Sequence, residues 1–352
     1  MNSELLNAFR ELGNEKGILP EILFEAVEAA LIAAYRKNFG SSQNVRVSLD
    51  RKTGDINVYA RKIVVEQIED ENLEITLAEA RQIDPRYQLG DIIETEVTPR
   101  NFGRIAAQTA KQVVVQRIRE IERGLVYEKF SNRESDIVTG VVQRIENKNV
   151  YIDLGKAEAI LTPNEQIEGE YYNLFERIKT YIIEVKKTNK GPQIMVSRTH
   201  PGLLKRLFEL EVPEIHDGLV EIKSVAREPG MRSKIAVYSK DENVDPVGAC
   251  VGHKGMRVQT IVNELKGEKI DIVKYSSDPE EYVANALSPA KVVLVEANVN
   301  EKVCRVVVPD YQLSLAIGKE GQNARLAAKL TGWKIDIKSE SHAAAEEARE
   351  LA

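Results

Sequence analysis

Two tetrapeptides with the pattern Gly-X-X-Gly carry residue types suited to holding a phosphodiester backbone. They are Gly252-His253-Lys254-Gly255 and Gly318-Lys319-Glu320-Gly321. Glycine has no Cβ, so it permits positive φ and close approach of a ligand to the backbone. Each tetrapeptide precedes a segment of helical periodicity, whose first N–H groups and dipole favour an anion. One such loop is a weak signal, since a turn joining two packed helices has the same pattern.

The two tetrapeptides lie at matching positions in a repeated segment. Each is followed by an amphipathic stretch of helix length, and both stretches close on the same four residues, Lys269-Ile270-Asp271-Ile272 and Lys334-Ile335-Asp336-Ile337. A period of about 65 residues is longer than that of solenoid repeats. The repetition therefore indicates a duplicated small domain and favours the phosphate-binding interpretation.

Each repeat shows the same predicted order of a helix, two strands, a helix, the glycine loop, a helix and a strand. The elements span 202–211, 219–227, 232–239, 246–251, 255–265 and 269–275 in the first repeat, and 279–287, 290–297, 302–308, 311–317, 321–331 and 334–338 in the second. This order resembles the type II KH domain, whose glycine loop clamps about four nucleotides of RNA backbone.

The KH resemblance implies RNA contacts from the loops and from the first turns after them. The candidates are Gly252, His253, Lys254, Gly255, Arg257, Gln259, Gly318, Lys319, Glu320, Gly321, Gln322, Asn323 and Arg325. Backbone contacts alone are not specific, so we expect base choice to come from the groove beside the strands at 270–272 and 335–337.

A unit of five short predicted strands precedes the repeats. The strands span Ile137–Arg144, Asn149–Leu154, Ala157–Leu161, Tyr181–Lys187 and Gln193–Ser197. Five strands in about 65 residues fit an OB-fold barrel. The spacing of Asp153-Leu154-Gly155 and Ile194-x-Val196-Ser197-Arg198 resembles the S1 RNA-binding domain.

The S1 resemblance is incomplete at the positions that stack on bases. Many S1 domains carry two phenylalanines and a histidine where this chain has Lys148, Tyr151 and Thr162. Aromatic stacking contributes about 1–3 kcal/mol per base. We therefore expect Lys148 and Tyr151 to contact RNA, but weakly or mainly through electrostatics.

The first 130 residues predict an α/β domain with one long helix. Amphipathic helices are expected over 3–13 and 20–38, and strands over Val45–Leu49, Ile56–Ala60 and Ile92–Val97. The long helix runs from Arg104 to about Phe130, with an apolar stripe that includes Ile105, Val113, Val114, Ile118, Ile121 and Leu125.

Charge is distributed unevenly in this domain. Residues 66–96 contain ten acids and two bases, a difference of -8, whereas residues 104–129 contain six bases and three acids, a difference of +3. Such runs are usually solvated faces of ordinary elements. The alternative is an acidic face that meets a basic protein surface and a basic helix edge that meets RNA.

Composition and net charge limit the possible functions. The 352 residues are 43% hydrophobic and 30% charged, which fits two to four ordinary globular domains. No apolar run approaches about 18 residues and no secretory signal is visible, so we expect a cytoplasmic protein that does not bind membranes. A formal charge of -6 means that RNA binding must rely on local patches.

The cysteines and histidines do not form a metal site in sequence. Cys250 and Cys304 are isolated in apolar patterns, so we expect buried free thiols rather than a disulfide. The four histidines lack the spacing of a metal cluster. We therefore expect no cofactor and no metal.

The order of an N-terminal helical domain, S1, KH and KH resembles one family, the bacterial transcription termination/antitermination factor NusA. The residues that carry this resemblance are Ile18-Leu19-Pro20, Gln108-Thr109-Ala110-Lys111-Gln112-Val113, Asp245-Pro246-Val247-Gly248-Ala249-Cys250-Val251-Gly252, Arg257-Val258-Gln259 and Ala316-Ile317-Gly318. The sequence therefore predicts a multidomain α+β protein with an N-terminal RNA polymerase-binding domain (1–130), an S1 domain (134–200), two KH domains (201–277 and 278–340) and a helical or disordered tail (341–352).

The family resemblance implies a transcription elongation factor that is not an enzyme. It implies a monomer that binds RNA polymerase, nascent single-stranded RNA, pause or terminator hairpins and other antitermination factors. It also implies that Arg104 and Lys111 contact the pause hairpin. The acidic region 66–96 and the apolar residues of the first helices are both candidates for the polymerase contact.

Two other function classes remain compatible with KH and S1 domains. A phosphate-dependent exoribonuclease carries them beside a catalytic domain, but the remaining 130 or so residues show no nucleophile motif, metal-binding carboxylate cluster or Walker-type loop. A ribosome-associated RNA-binding module is the other alternative, which a polymerase pulldown would separate from a transcription factor.

Overall fold

The computed structural model describes residues 20–39, 44–100 and 102–350. Contacts divide the chain into two compact units, 1–124 and 125–352. The predicted helix over 3–13 and the pair Ile18-Leu19 lie outside the described residues.

The first unit packs its helices against a mixed sheet. Its elements are α1 (Pro20–Phe39), β1 (Asn44–Leu49), β2 (Ile56–Val65), β3 (Glu74–Thr76), α2 (Leu77–Ile83), β4 (Ile92–Glu96) and α3 (Phe102–Ser131). Strand β2 pairs with the other three. Its core joins the apolar face of α1, including Leu23, Val27 and Leu31, to Val47 and to Phe102 at the start of α3.

The acidic segment is folded, although the sequence analysis assigned no element between residues 61 and 91. Thr76 caps α2 in a capping box, because its hydroxyl accepts from the Glu79 N–H at 3.3 Å and the Glu79 side chain reaches back to the Thr76 N–H. Ala80, Val64 and Ile93 form a small apolar cluster beneath it. The Thr-x-x-Glu pattern is a helix-start signal that sequence reading could have used.

The second unit begins with a closed five-stranded barrel, which confirms the predicted S1 fold. Its strands are β5 (Ile137–Glu146), β6 (Asn149–Asp153), β7 (Glu158–Leu161), β8 (Arg177–Thr188) and β9 (Gly191–Ser197), in the order β5-β6-β7-β9-β8. Gly140 lets β5 and β6 approach closely, since a Cβ there would lie 2.4 Å from Ile152 Cγ2. The last turns of α3 also pack on the barrel through Val126, Tyr127 and Phe130.

Two KH folds follow the barrel, in the element order that the repeats predicted. The first contains α4 (Pro201–Glu211), α5 (Pro213–His216), β10 (Val220–Glu228), β11 (Arg232–Ser239), α6 (Pro246–Val251), α7 (Met256–Glu264) and β12 (Lys269–Lys274). The second contains α8 (Pro279–Ala286), β13 (Leu294–Asn298), β14 (Val303–Val308), α9 (Leu313–Ile317), α10 (Gln322–Thr331) and β15 (Lys334–Ser339). Helix α11 (Glu340–Glu350) ends the described chain.

Each KH sheet has three strands, with the last strand parallel to the middle one. The matching registers pair Lys234 with Asp271 in the first sheet and Arg305 with Asp336 in the second. The fold therefore repeats at the level of individual strand partners. The predicted domain boundaries between the units stay predictions.

Buried arginines join the barrel to the first KH fold. The guanidinium of Arg198 is fully buried; it pairs with Glu170 of the barrel and donates to the Glu264 carbonyl at the end of α7 at 3.0 Å. Arg227 of β10 donates to both carboxylate oxygens of Glu268, at 2.9 and 2.8 Å, and to the His200 carbonyl at 2.9 Å. A protein tolerates a charge buried in this way only when all of its ion-pair and hydrogen-bond partners are present.

The first KH sheet uses its outer face to hold the second KH fold. Ala226, Ala236 and Val273 of that sheet share one apolar core with Tyr282 of α8 and Leu326 of α10. At the edge of this contact, the buried Lys234 ammonium donates to Asp271 Oδ2 at 2.9 Å and to the Ser288 carbonyl at 2.6 Å. The barrel and both KH folds consequently pack as a single unit.

Replacing Arg227 with methionine should destabilise this unit strongly. The substitution leaves the Glu268 carboxylate buried without its cation, which typically costs about 3–5 kcal/mol. Urea unfolding followed by Trp333 fluorescence measures the change, because Trp333 packs against the second KH core. Lys186→Met is the control: its pair with Glu184 is exposed, so the expected loss is below about 1 kcal/mol. Equal losses in the two variants would contradict the role given to Arg227.

Candidate nucleic-acid interface

The two glycine loops have the same backbone conformation. Gly252 and Gly318 both have φ near +76° with ψ 175° and 172°. The third residues, Lys254 and Glu320, are left-handed with φ 50° and 54°. Gly255 begins α7 from the left-handed region with φ 77°, and Gly321 begins α10 in the same way. The repeat seen in sequence is therefore a repeat of loop geometry.

Both the dihedral angles and the neighbouring atoms require glycine at the first position of each loop. Positive φ with ψ near 175° is a region that only glycine enters readily. A Cβ on Gly252 would lie 2.7 Å from Arg257 Cγ, and a Cβ on Gly318 would lie 2.8 Å from the Asn323 backbone N. The last glycines, Gly255 and Gly321, have open space around them and need glycine mainly for φ.

The loops present their middle side chains to solvent. His253, Lys254, Lys319 and Glu320 are all exposed. Neither α7 nor α10 has a side-chain cap hydrogen bond at its N-terminus. The N–H groups of Met256 and Gln322 donate to the carbonyls of His253 and Lys319, within the loops. The positive end of the helix dipole at such a start favours an anionic ligand. This arrangement has the geometry to hold RNA phosphates.

Arg257 and Asn323 occupy the same position, five residues after the first glycine of each loop. The Arg257 guanidinium donates to the Ala249 carbonyl at 2.6 Å and to Glu214 Oε2 at 2.8 Å. The Asn323 side chain is buried, and its amide donates to the carbonyls of Ala316 and Leu287 at 3.0 Å. Both residues brace the preceding helix. Their predicted contact with RNA stays a prediction.

Gln322 and Arg325 contact the first KH fold. Gln322 Nε2 donates to Glu228 Oε2 at 2.9 Å and Arg325 Nε donates to Glu228 Oε1 at 2.6 Å. Hydrogen bonding to Arg325 lowers the pKa of Glu228 below its usual value. Sequence reading missed Glu228, since it lies almost a hundred residues from Arg325 and only tertiary packing joins them. Gln259 is exposed and bonds to Asn263 on the same helix.

The two candidate residues on the barrel have different surroundings. The Arg144 guanidinium covers the Tyr151 ring at 3.7 Å from its centroid, and Glu158 and Glu146 hold Arg144 in place. One face of the tyrosine is therefore occupied. Lys148 is exposed at the β5–β6 turn with φ 65°. The expected weak or mainly electrostatic RNA contact of Lys148 and Tyr151 stays a prediction.

Arg104 and Lys111 lie two turns apart on α3, and both are exposed. A separation of seven residues places them on one face of the helix. The opposite face of this helix buries Ala106, Ala110 and Val114 in the core of the first unit. The helix therefore holds both cations at a fixed spacing toward solvent.

The cysteines are buried free thiols, as predicted. Burial raises the pKa of the Cys250 thiol to about 12, so this thiol stays protonated and unreactive. Across 20–39, 44–100 and 102–350 no cluster of histidine, cysteine or carboxylate side chains could hold a metal ion. None of the helices in these ranges is long and apolar enough to cross a membrane.

Family models match almost the whole chain in sequence order. The NusA N-terminal domain matches residues 4–124, the S1 RNA binding domain matches 132–197, the NusA-like first KH domain matches 198–275 and the NusA-like second KH domain matches 279–345. The chain belongs to the NusA family. The order of these four matches confirms the NusA architecture predicted from sequence. The S1 and KH domains are RNA-binding domains.

Curated NusA relatives are similar over nearly their full length. The transcription termination/antitermination proteins NusA of Halalkalibacterium halodurans and Bacillus subtilis are each 66% identical over 343 residues, covering 97% of this chain and 90% and 92% of the relatives. NusA of Thermus thermophilus is 46% identical over 95% of this chain and 89% of its own. The predicted role in transcription termination and antitermination is confirmed at the level of the NusA family.

Alanine at the two glycines of the second loop should have unequal effects. Gly321→Ala places a Cβ in open space at left-handed φ, which costs about 1–2 kcal/mol. Gly318→Ala adds a collision with Asn323 and should cost more than about 3 kcal/mol. Unfolding free energies from Trp333 fluorescence compare the two. The predicted loop geometry is wrong if both variants lose the same stability.

Proposed function

We propose that this chain is an RNA-binding transcription elongation factor that binds RNA polymerase and nascent RNA. In this proposal it promotes pausing and intrinsic termination and takes part in antitermination with other factors. It acts as a cytoplasmic monomer and catalyses no reaction. The names of its NusA relatives and the RNA-binding class of its S1 and KH domains support this role.

The observation that carries the proposal is the pair of matching glycine loops in one packed unit. Each loop offers a helix N-terminus without a side-chain cap and an exposed lysine, Lys254 in the first and Lys319 in the second. Two weak sites that are held at a fixed spacing bind one RNA strand more tightly than either site alone, because the second contact is intramolecular. A polymerase that delivers RNA at high local concentration suits such sites.

We propose the acidic segment of the first unit as the polymerase-docking surface. Residues 66–96 carry ten acids and two bases. The same region exposes apolar side chains at Ile68, Ile83, Leu89 and Ile92. An acidic surface with apolar contacts fits a basic protein partner better than it fits RNA, whose phosphates it would repel.

Basic helix α3 supplies a different proposed contact. Arg104 and Lys111 are exposed on one face and would meet the phosphates of a pause or terminator hairpin. The opposite charges of 66–96 and 104–129 support protein docking at the first segment and RNA contact at the second. The proposed domains remain 1–130, 134–200, 201–277 and 278–340, followed by the tail.

Aspartate at Lys254 and Lys319 should nearly abolish RNA binding without unfolding the protein. Both lysines are exposed, so the substitutions leave the core unchanged while they replace cations with anions beside the phosphates. We expect at least a tenfold loss of affinity for single-stranded RNA, and a salt slope that falls by about 1.4, since each lost phosphate contact removes about 0.7. Filter binding across several salt concentrations measures both quantities.

The matched control replaces Lys205 and Lys302 with aspartate. Both are exposed lysines of the two KH folds outside the glycine loops, and the net charge change is the same. Equal RNA affinity of the loop variant and the control, in folded proteins, would reject the loops as the RNA site.

Removing Arg104 and Lys111 should shorten hairpin-dependent pauses. Each exposed phosphate contact is worth about 0.2–1 kcal/mol, so the double alanine variant should reduce the effect on pause lifetime by roughly 2- to 30-fold. A single-round transcription assay at a hairpin pause site measures this. Arg36→Ala with Lys37→Ala removes two exposed bases from α1 and serves as control. Unchanged pausing with the α3 variant would dismiss the hairpin contact.

A further inference from the structure

A loop of the S1 barrel exposes aromatic and apolar side chains that no barrel contact requires. We call residues 171–175, which precede β8, the aromatic loop. Tyr171 is 84% exposed, Phe175 is 78% exposed and Leu174 is 54% exposed. Most large apolar groups of this barrel are buried, as the core cluster around Val142 and Ile182 shows. A group of exposed side chains of this kind usually marks a binding surface.

The backbone holds Phe175 in an unfavourable conformation. Its φ is +67°, which is uncommon for a bulky residue with a Cβ. The Phe175 N–H donates to the Val142 carbonyl at 2.8 Å, and the Val142 N–H donates to the Glu176 carbonyl at 2.9 Å. The loop is thus fixed to strand β5 on both sides of the bend. The ring is presented from a rigid base and not from a flexible tip.

The acids beside the aromatic loop are paired with cations. Glu170 pairs with the buried Arg198, and Glu176 pairs with Lys266 of the first KH fold. Arg177 follows directly and is exposed. Glu168 is the nearby exposed acid among the described residues of this segment. Because cations neutralise these carboxylates, the acids repel a phosphate backbone near the rings less strongly.

The aromatic loop adjoins the helix that begins at the first glycine loop. Besides the pair of Glu176 with Lys266, Lys179 Nζ donates to Glu264 Oε2, the last residue of α7, at 2.8 Å. Helix α7 has nine residues, so its two ends lie about 14 Å apart. The aromatic loop therefore lies at the C-terminal end of α7, and Gly255 lies at its N-terminal end. A short stretch of RNA spans that length.

We propose that Tyr171 and Phe175 form a base-stacking site for single-stranded RNA that continues from the first glycine loop along α7. This inference rests on the proposed RNA-binding function. Stacking needs no particular base, because every base presents a π-face. Because Arg144 covers one face of the Tyr151 ring, Tyr151 offers a base only its other face. The proposed site would supply further stacking. The nearby cations and the continuity with the KH loop favour RNA over a protein ligand.

The test compares aromatic removal with apolar removal in the full chain. Tyr171→Ala with Phe175→Asn removes both rings, and asparagine tolerates the left-handed backbone at 175. Binding is measured to single-stranded RNA of about 12 nucleotides, long enough for three contacts of about four nucleotides each. We expect roughly a 5- to 100-fold loss of affinity with an unchanged salt slope, because no phosphate contact is removed. Leu174→Ala, which removes an exposed side chain without a ring, should bind like the parent.

A fluorescence measurement reports stacking directly. The chain has one tryptophan, Trp333, so Trp333→Phe with Phe175→Trp creates a single reporter in the aromatic loop. RNA that stacks on this ring should quench its fluorescence in step with binding. An unquenched reporter in an RNA-bound protein would overturn the proposal.

The outcomes separate this proposal from the proposed function. If the Lys254 and Lys319 aspartate variant loses RNA while the ring variant keeps it, the stacking site is rejected and the RNA-binding function stands. If the ring variant keeps RNA but loses polymerase binding, the aromatic loop is a protein-docking surface and the proposal is overturned. If the parent protein binds no RNA at all, the proposed function itself fails.

Discussion

The fully buried carboxylate of Glu268 is the interaction on which the arrangement of the RNA-binding unit depends. It accepts two hydrogen bonds from Arg227, one from Ser233 at 2.6 Å and one from the Gly230 N–H at 2.9 Å. Arg227 in turn donates to the His200 carbonyl, where the barrel ends. A buried charge is tolerable only when all of its bonds are made. The network therefore fixes the barrel on the first KH sheet in one position.

A second fixed contact, between the two KH folds, sets the spacing of the two weak glycine loops. Each loop has the same dihedral angles, but the chemistry of the exposed residues differs: His253-Lys254 in the first and Lys319-Glu320 in the second. The second loop adds no net charge of its own. The nearby Gln322 amide and Arg325 guanidinium both donate to Glu228 of the first fold, so they help to set the distance between the folds. Affinity then comes from spacing more than from a positive field.

The structure changes the interpretation of the candidate residues that follow the loops. Sequence grouped Arg257, Gln322, Asn323 and Arg325 as RNA contacts because they lie on the first helical turns. Arg257 and Asn323 also brace the helices before the loops, through carbonyls at Ala249 and Ala316, and their contact with RNA stays a prediction. The exposed residues of the loops, Gln259, Arg325 and the rings of the aromatic loop are all accessible to a ligand. Aromatic residues at 171 and 175 were visible in sequence, but their exposure was not.

The sequence alone determined the domain order, the element order in each KH fold, the barrel strands and the two glycine loops. These features follow from local causes, namely hydrophobic periodicity, glycine at forced dihedral angles and a visible repeat. The folded acidic segment was missed because its strand β3 is only three residues long and its short helix begins at a capping box. Only the tertiary structure decided which charged residues form ion pairs or hydrogen bonds at the contacts between folds, as Arg198, Arg227 and Glu228 do. Those partners are distant in sequence, and no local pattern encodes which buried acid meets which base.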